Sequence, residues 1–256
     1  MDLGIAGRVA IVGGATRGLG LATACRLVSE GVHVAVCGRS KESLKQAEVH
    51  LSRAADGHDR FLTVQADLSD RDGPEKLIQA ALERFDKIDI VVPNSGGPPN
   101  GGAQSVGDDD VLWQNAFDGN FWSTLRLVKE ALPGMIDRQW GRVVIIGSTA
   151  VREPVADLVL SNATRSAIWS WAKTLASEVA KDGVTVNMAM PGLHNTDRVA
   201  ERMNAEALAR RLMTIPAQRV GEPEEFAALM AFLCSQSAGF ISGESVAVDG
   251  GALRGF

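Results

Sequence analysis

The stretch Val9-Ala10-Ile11-Val12-Gly13-Gly14-Ala15-Thr16-Arg17-Gly18-Leu19-Gly20 decides how the rest of the chain is read. A short run of β-forming residues enters a glycine-rich turn, and apolar residues at helical spacing follow from Leu19 to Ser29. Glycines let the backbone turn tightly and approach a pyrophosphate, whose charge is met by the helix's unpaired N–H groups and dipole. The spacing Gly14-x-x-x-Gly18-x-Gly20 differs from the commonest Gly-x-Gly-x-x-Gly fingerprint, and a glycine-rich strand-to-helix turn can also be plain punctuation. Its place after the first strand and before a helix favours a phosphate loop, and so a bound dinucleotide.

Outward from that loop, strands and helices alternate. Val32–Cys37, Phe61–Val64, Ile88–Val92, Arg142–Ile146, Val184–Met188 and Ser245–Val248 read as further strands. Most are continuous apolar runs, as parallel strands covered on both faces require. Helical periodicity predicts Glu42–Ala54, Pro74–Phe85, Phe121–Leu132, Ile168–Ala180 and Pro223–Cys234. The expectation is a Rossmann-type α/β fold: a doubly wound, seven-stranded parallel sheet with helices on both faces. The patch Gly96-Gly97-Pro98-Pro99-Asn100-Gly101-Gly102 could pass for a linker, but it follows a strand end, where such sheets place ligand loops. A single domain over residues 1–256 is the reading.

Composition narrows the function classes. A net charge of −5 argues against a nucleic-acid partner. Cys25, Cys37 and Cys234 form no CxxC pair, which reads as reduced thiols in a cytoplasmic protein. Residues 1–8 lack the basic start and apolar run of a signal peptide, and no apolar stretch is long enough to span a membrane. No His/Cys cluster has metal-ligand spacing, no Gly-x-Ser-x-Gly elbow occurs, and Asp108-Asp109-Asp110 reads as a solvated helix start.

The dinucleotide is expected to be NADP(H) rather than NAD(H). An NAD site supplies an acid about twenty residues past the loop for the ribose 2′-hydroxyl. Here Arg39 stands in that region, no acid occurs between Val34 and Lys41, and Arg17 lies inside the loop. Two guanidinium groups converging on one ribose suit a 2′-phosphate. Two merely solvated arginines would leave the preference open.

With these features in place, the chain resembles the short-chain dehydrogenase/reductase family along essentially its whole length. Asp67-Leu68 is similar to that family's adenine-contacting segment, and Pro93-Asn94-Ser95-Gly96 to its Asn-Asn-Ala-Gly loop. Asn120 falls at its helical active-site Asn. Pro191-Gly192, followed by Thr196, is similar to its Pro-Gly motif and the Thr that holds the nicotinamide amide. The resemblance implies a small-molecule carbonyl or alcohol substrate and a homotetramer or homodimer. Cofactor contacts are then implied for Gly14, Thr16, Arg17, Gly18, Leu19, Gly20, Arg39, Asp67, Leu68, Asn94, Gly96, Arg165, Pro191, Gly192 and Thr196. Trp169, Trp171 and Leu175 face either a partner subunit or the chain's own core.

The family's chemistry rests on a Ser, a Tyr thirteen residues later and a Lys four beyond that. Ser148 fits the first position, but Ser161 and Arg165 stand at the other two, and the chain contains no tyrosine. A phenol near pKa 10 can be tuned toward neutrality by a cation; a serine hydroxyl starts several units higher, at about 1.4 kcal/mol per unit. Losing a matched general acid costs about 10²–10⁴ in rate. The expected catalytic set is therefore Ser148 to polarise the carbonyl, Ser161 to relay a proton through water, Arg165 to bind the ribose and Asn120 to organise the water. His194 is the alternative proton donor, or else a loop histidine beside a helix start. Arg152 and Glu153 either line the substrate pocket or sit exposed. An NADP(H)-dependent ketone/secondary-alcohol oxidoreductase is the first reading. A catalytically silent NADP(H)-binding protein and a non-redox lyase or dehydratase are the alternatives.

Overall fold

The computed structural model describes residues 2–107 and 109–255, so Asp108 lies outside the described residues. In chain order the elements are β1 (Val9–Val12), α1 (Gly18–Ser29), β2 (His33–Gly38), α2 (Lys41–Ala55), β3 (Phe61–Gln65), α3 (Gly73–Phe85) and β4 (Ile90–Val92). There follow α4 (Ala103–Val106), α5 (Asp110–Phe117), α6 (Ser123–Asp137), β5 (Gly141–Ile146), α7 (Val159–Val179) and β6 (Val184–Pro191). The chain closes with α8 (Asp197–Arg202), α9 (Ala205–Leu212), α10 (Pro223–Leu233) and β7 (Ser245–Val248).

All seven strands pair in parallel, in the order β3-β2-β1-β4-β5-β6-β7. Alternate residues of each strand face opposite sides, and both sides are dry. Ile11, Val143 and Val186 meet Leu77, Leu127 and Ile168 on one face. Ala10, Val12 and Val144 meet Leu27, Leu51 and Phe226 on the other. Two buried faces explain why the strands read as unbroken apolar runs. The order reverses between β1 and β4, which opens a crevice at their carboxyl ends. The glycine-rich turn after β1 and the Asn94–Gly97 loop after β4 flank it.

Several boundaries differ from the sequence expectation, among them the ends of β6 and α6 and the starts of β4 and α7. The fourth strand starts at Ile90 rather than Ile88: the Val9 N–H donates to the Asp89 carboxylate at 3.0 Å, while the Asp89 backbone still bonds Val9 and Arg142 on either side. Arg8, Lys87 and Arg138 surround that buried carboxylate. Helix α6 runs through Pro133 to Asp137, past the expected stop at Leu132, and is preceded by a π-helical turn over Asp118–Trp122. Helix α7 begins at Val159 rather than Ile168. Its first turns carry Ser161, Asn162, Thr164 and Arg165, so they show no apolar period. Asp109 caps α5 by accepting the Leu112 N–H, as a solvated helix start would.

Candidate active site

The glycine-rich turn has the geometry its residues dictate. Gly14 and Gly18 sit at φ 52° and 57°, the left-handed region that side chains disfavour. A Cβ on Gly20 would lie 2.7 Å from both the Asn94 Nδ2 and the Gly14 carbonyl oxygen. Asn94 holds the turn by donating from Nδ2 to the Gly13 and Gly14 carbonyls, each at 3.0 Å. The result is a side-chain-free cradle at the N-terminus of α1, which fits a dinucleotide pyrophosphate.

A cavity of about 340 Å³ opens from this cradle. Of the residues expected to bind cofactor, Gly14, Arg17, Gly18, Leu19, Gly20, Asn94, Gly96, Arg165, Pro191, Gly192 and Thr196 line it. Ser148 and Ser161 line it too, opposite the glycine turn. Each arrives by a separate device. Gly147 donates to Ala189 on β6 at the end of β5, and Ser148 follows in extended backbone, where its Oγ accepts the Ala150 N–H at 3.1 Å. Ser161 enters on the first turn of α7. That turn is tethered to the β4 loop, because Gly101 donates to Asp157 and Val159 donates back to Gly101.

Other expected residues lie elsewhere. Arg39 and Asp67 line a second cavity, at the ends of β2 and β3. Arg17 does not join them: its Nη1 lies 2.9 Å from Glu201 Oε1 on α8. Arg17 and Arg39 thus line different cavities, with Arg17 paired to a carboxylate from α8. Asp67 instead accepts two bonds from Ser69, Leu68 is buried with its Cδ1 beneath Gly13, and Thr16 packs its methyl on Gly38. Asn120 does not line the main cavity. Its Oδ1 accepts from Ser95 Oγ at 2.6 Å and its Nδ2 donates to Thr164 Oγ1 at 3.1 Å. The π-helical turn aims its amide into protein, so the side chain ties the β4 loop to α7.

Arg165 is the most unusual group. Its Nε donates to Ser161 Oγ at 3.2 Å and its Nη1 to the Ile146 carbonyl at 3.0 Å. Burial, aided by the charge of Arg198, pushes its pKa down to about 10, so it stays protonated at neutral pH. His194 also lines the cavity, with most of its side chain buried. Its ring meets Phe226 edge-on, its Nε2 side abuts Gly221, and burial lowers its pKa. Arg152 donates to Ser245 and Glu153 accepts the Arg254 and Gly255 N–H groups; neither lines the cavity. Trp169 and Trp171 pack on the chain's own core. Sequence reasoning missed Ser95, Thr164, Arg198 and Glu201. Two had a signal: Ser95 stands inside the Pro93–Gly96 loop segment, and Arg198 two residues past Thr196. Among the described residues, no cluster of His, Cys, Asp or Glu would hold a metal, and no helix is long and apolar enough to cross a membrane.

A family model described as Enoyl-(Acyl carrier protein) reductase matches residues 14–252. The chain belongs to the short-chain dehydrogenase/reductase family. It is 32% identical over 251 residues to Dehydrogenase/reductase SDR family member 2, mitochondrial, of Homo sapiens, covering 98% of this chain and 88% of that one. It is 30% identical over 249 residues to the 3-oxoacyl-(acyl-carrier-protein) reductase FabG of Vibrio cholerae, covering 97% and 98%. The L-sorbose reductase of Gluconobacter frateurii, solved with NADPH and L-sorbose, superposes with a TM-score of 0.91 at 30% identity, with all of both chains covered. This family member is an oxidoreductase by kinship, with a seven-stranded Rossmann-type sheet like its structural neighbours.

Proposed function

We propose that the chain interconverts a ketone and a secondary alcohol with NADP(H), using two serine hydroxyls and a fixed cation in place of the Tyr–Lys pair. The observation that carries this reading is that Ser148, Ser161 and Arg165 line one cavity with the glycine cradle and Thr196. A nicotinamide dinucleotide supplies the hydride when bound. The glycine turn and Asn94 would hold its pyrophosphate end, and Pro191, Gly192, Thr196 and Arg165 its nicotinamide riboside. Arg39 and Asp67 would hold the adenosine end. The NADPH complex of the sorbose reductase supports the phosphorylated cofactor.

The hydrogen bonds orient both serines as donors. Ser148 Oγ accepts from the Ala150 N–H and Ser161 Oγ accepts from the Arg165 Nε–H, so each hydroxyl hydrogen remains to point at an oxygen in the cavity. Two O–H donors facing the developing alkoxide stabilise it where charge grows. Arg165 makes Ser161 a stronger donor but, holding its proton, leaves proton delivery to water through Ser161. Asn120 positions α7 against the β4 loop. The reading includes a homotetramer or homodimer, as the family resemblance implies, and a cytoplasmic location, supported by three free cysteines. Nicotinamide absorbance, followed with a panel of ketones, tests it. Turnover is expected, and Ser148→Ala should lose most of it. Tight cofactor binding without hydride transfer to any ketone would assign the silent reading instead.

A further inference from the structure

Ser148 and Ser161 stand at the two ends of one loop, which leaves β5 and returns at the first turn of α7. From Ile168 onward α7 is fixed by its core packing. Its first turn is placed differently. Leu158 stands at the N-cap position and gives no side-chain cap, so other groups must locate the turn. Asn162 supplies one of them. Its Nδ2 donates to the Val155 carbonyl at 2.8 Å, and its Oδ1 accepts the Val155 N–H at 3.4 Å. A carbonyl only accepts and an N–H only donates, so the orientation of the amide is fixed, and the side chain pairs with Val155 as a neighbouring strand would. The loop ahead of Val155 is anchored in its turn. Arg152 donates to the carbonyl and hydroxyl of Ser245 at the start of β7, and Glu153 accepts the Arg254 and Gly255 N–H groups. Val155 is therefore the point at which a loop anchored on β7 is fastened to α7.

We infer that Asn162 is a positioning residue for the carbonyl step, setting where Ser161 lies relative to Ser148; this rests on the reductase reading above. Asn162 does not line the cavity, so it acts through its neighbour rather than on a ligand. The other ties of this turn serve different ends. The Arg165 bond to Ser161 lies within α7 and travels with it. Gly101 and the Asn120–Thr164 pair fasten the turn to the β4 side of the cleft. Arg165 does meet β5, at the Ile146 carbonyl, but through a long side chain that can follow small shifts of the helix. The short amide of Asn162 cannot follow them. Both serine hydroxyls face one developing alkoxide. A shift of one against the other therefore weakens a bond that grows in the transition state and leaves the binding of the cofactor's pyrophosphate end untouched.

The test compares Asn162→Leu and Asn162→Asp with the parent as full chains, using NADPH and the ketone of the panel that the parent reduces fastest. Leu is close to Asn in size and removes both bonds. Its kcat is expected to fall at least about tenfold, as ångström-scale misplacement of a donor does. Its NADPH affinity, read by cofactor fluorescence, should stay within about twofold of the parent. Asp keeps the acceptor and loses the donor, so its carboxylate faces the Val155 carbonyl; once protonated, it donates as the amide does. The ratio of its kcat to that of the parent should therefore rise at least about threefold between about pH 8 and about pH 5. A kcat for Asn162→Leu within about twofold of the parent overturns the inference. So does an equal loss of kcat and NADPH affinity, the mark of a general role in the fold. A flat ratio for Asn162→Asp also overturns it, and that ratio decides alone if the Leu variant does not fold. A parent that binds NADPH but reduces no ketone overturns the reductase reading and this inference together, whereas the preceding outcomes leave that reading standing.

Discussion

The two ends of the cavity are built from different materials. At the glycine-turn end the working groups are backbone N–H donors and empty space, set by Gly14, Gly18, Gly20 and the Asn94 amide. At the α7 end they are side chains: Ser148, Ser161 and Arg165. In the proposed reading the first end holds the cofactor and the second meets the carbonyl. Backbone geometry is shared between binding and folding, because Asn94 and the turn also seal β1 to β4, so few residues can replace it. The side chains at the α7 end make fewer such ties, one from the Ala150 N–H to Ser148 and one from Arg165 to the Ile146 carbonyl, so chemistry can change there with less cost to the scaffold.

The largest expected effect comes from making the second end match the first. Ser161→Tyr with Arg165→Lys restores the family pair, and turnover of a ketone should rise by about 10²–10⁴, the usual worth of a matched acid. Ser161→Tyr alone should gain less, because Arg165 cannot relay a proton. No gain in the double variant, with NADPH affinity unchanged, would show that the serine donors never stood in for the phenol. Breaking the first end should be nearly as severe. Gly20→Val places a side chain against Asn94 Nδ2 and the Gly14 carbonyl, which must move apart. NADPH affinity, read by cofactor fluorescence, should fall about 100-fold, as ångström-scale displacement of positioning groups does. Circular dichroism would show that the sheet survives.

The same contrast explains what was legible in the sequence. The sheet, its parallel sense and the glycine turn follow from local patterns: continuous apolar strands, left-handed glycines and strand–helix alternation. Ser148, Ser161 and Arg165 were locatable by counting along the chain. The pairing of Ser95 with Asn120, and of Arg17 with Glu201, was not, since each joins residues far apart in sequence through side chains. The start of α7 was hidden because cleft-lining turns are polar by necessity. His194 illustrates the limit in reverse: a histidine near a nicotinamide site reads as chemistry until Phe226 and Gly221 are seen to enclose it.

His194 also gives the cavity wall a pH dependence. Burial lowers its pKa below the ordinary 6.5. The unfolded chain therefore binds the proton more readily than the folded one. The stability that His194 contributes is fully present above pH 6.5 and is lost as pH falls from there toward its folded pKa. Denaturant titrations across that range should show stability dropping on acidification, and His194→Gln should flatten that part of the profile. An unchanged slope in the variant would assign the acid sensitivity to other groups. Catalysis should behave differently at the α7 end. Arg165 keeps its charge up to about 10, so the rate loses its contribution only above that pH.

The smallest expected effect lies where the glycine turn meets α8, at Arg17 and Glu201. Both side chains are more than half exposed, at 60% and 56%. Such a pair is worth about 0–1 kcal/mol and is screened by salt. Glu201→Gln releases Arg17 toward the adenosine half of the cofactor. NADPH should then bind up to about fivefold tighter while NADH changes less, with the difference shrinking at high ionic strength. An equal shift for both cofactors would mean that Arg17 does not read the 2′-phosphate. Arg39, already beside Asp67 in the second cavity, would then carry the preference alone. Arg17 would then serve to hold α8 against the glycine turn rather than to read the cofactor.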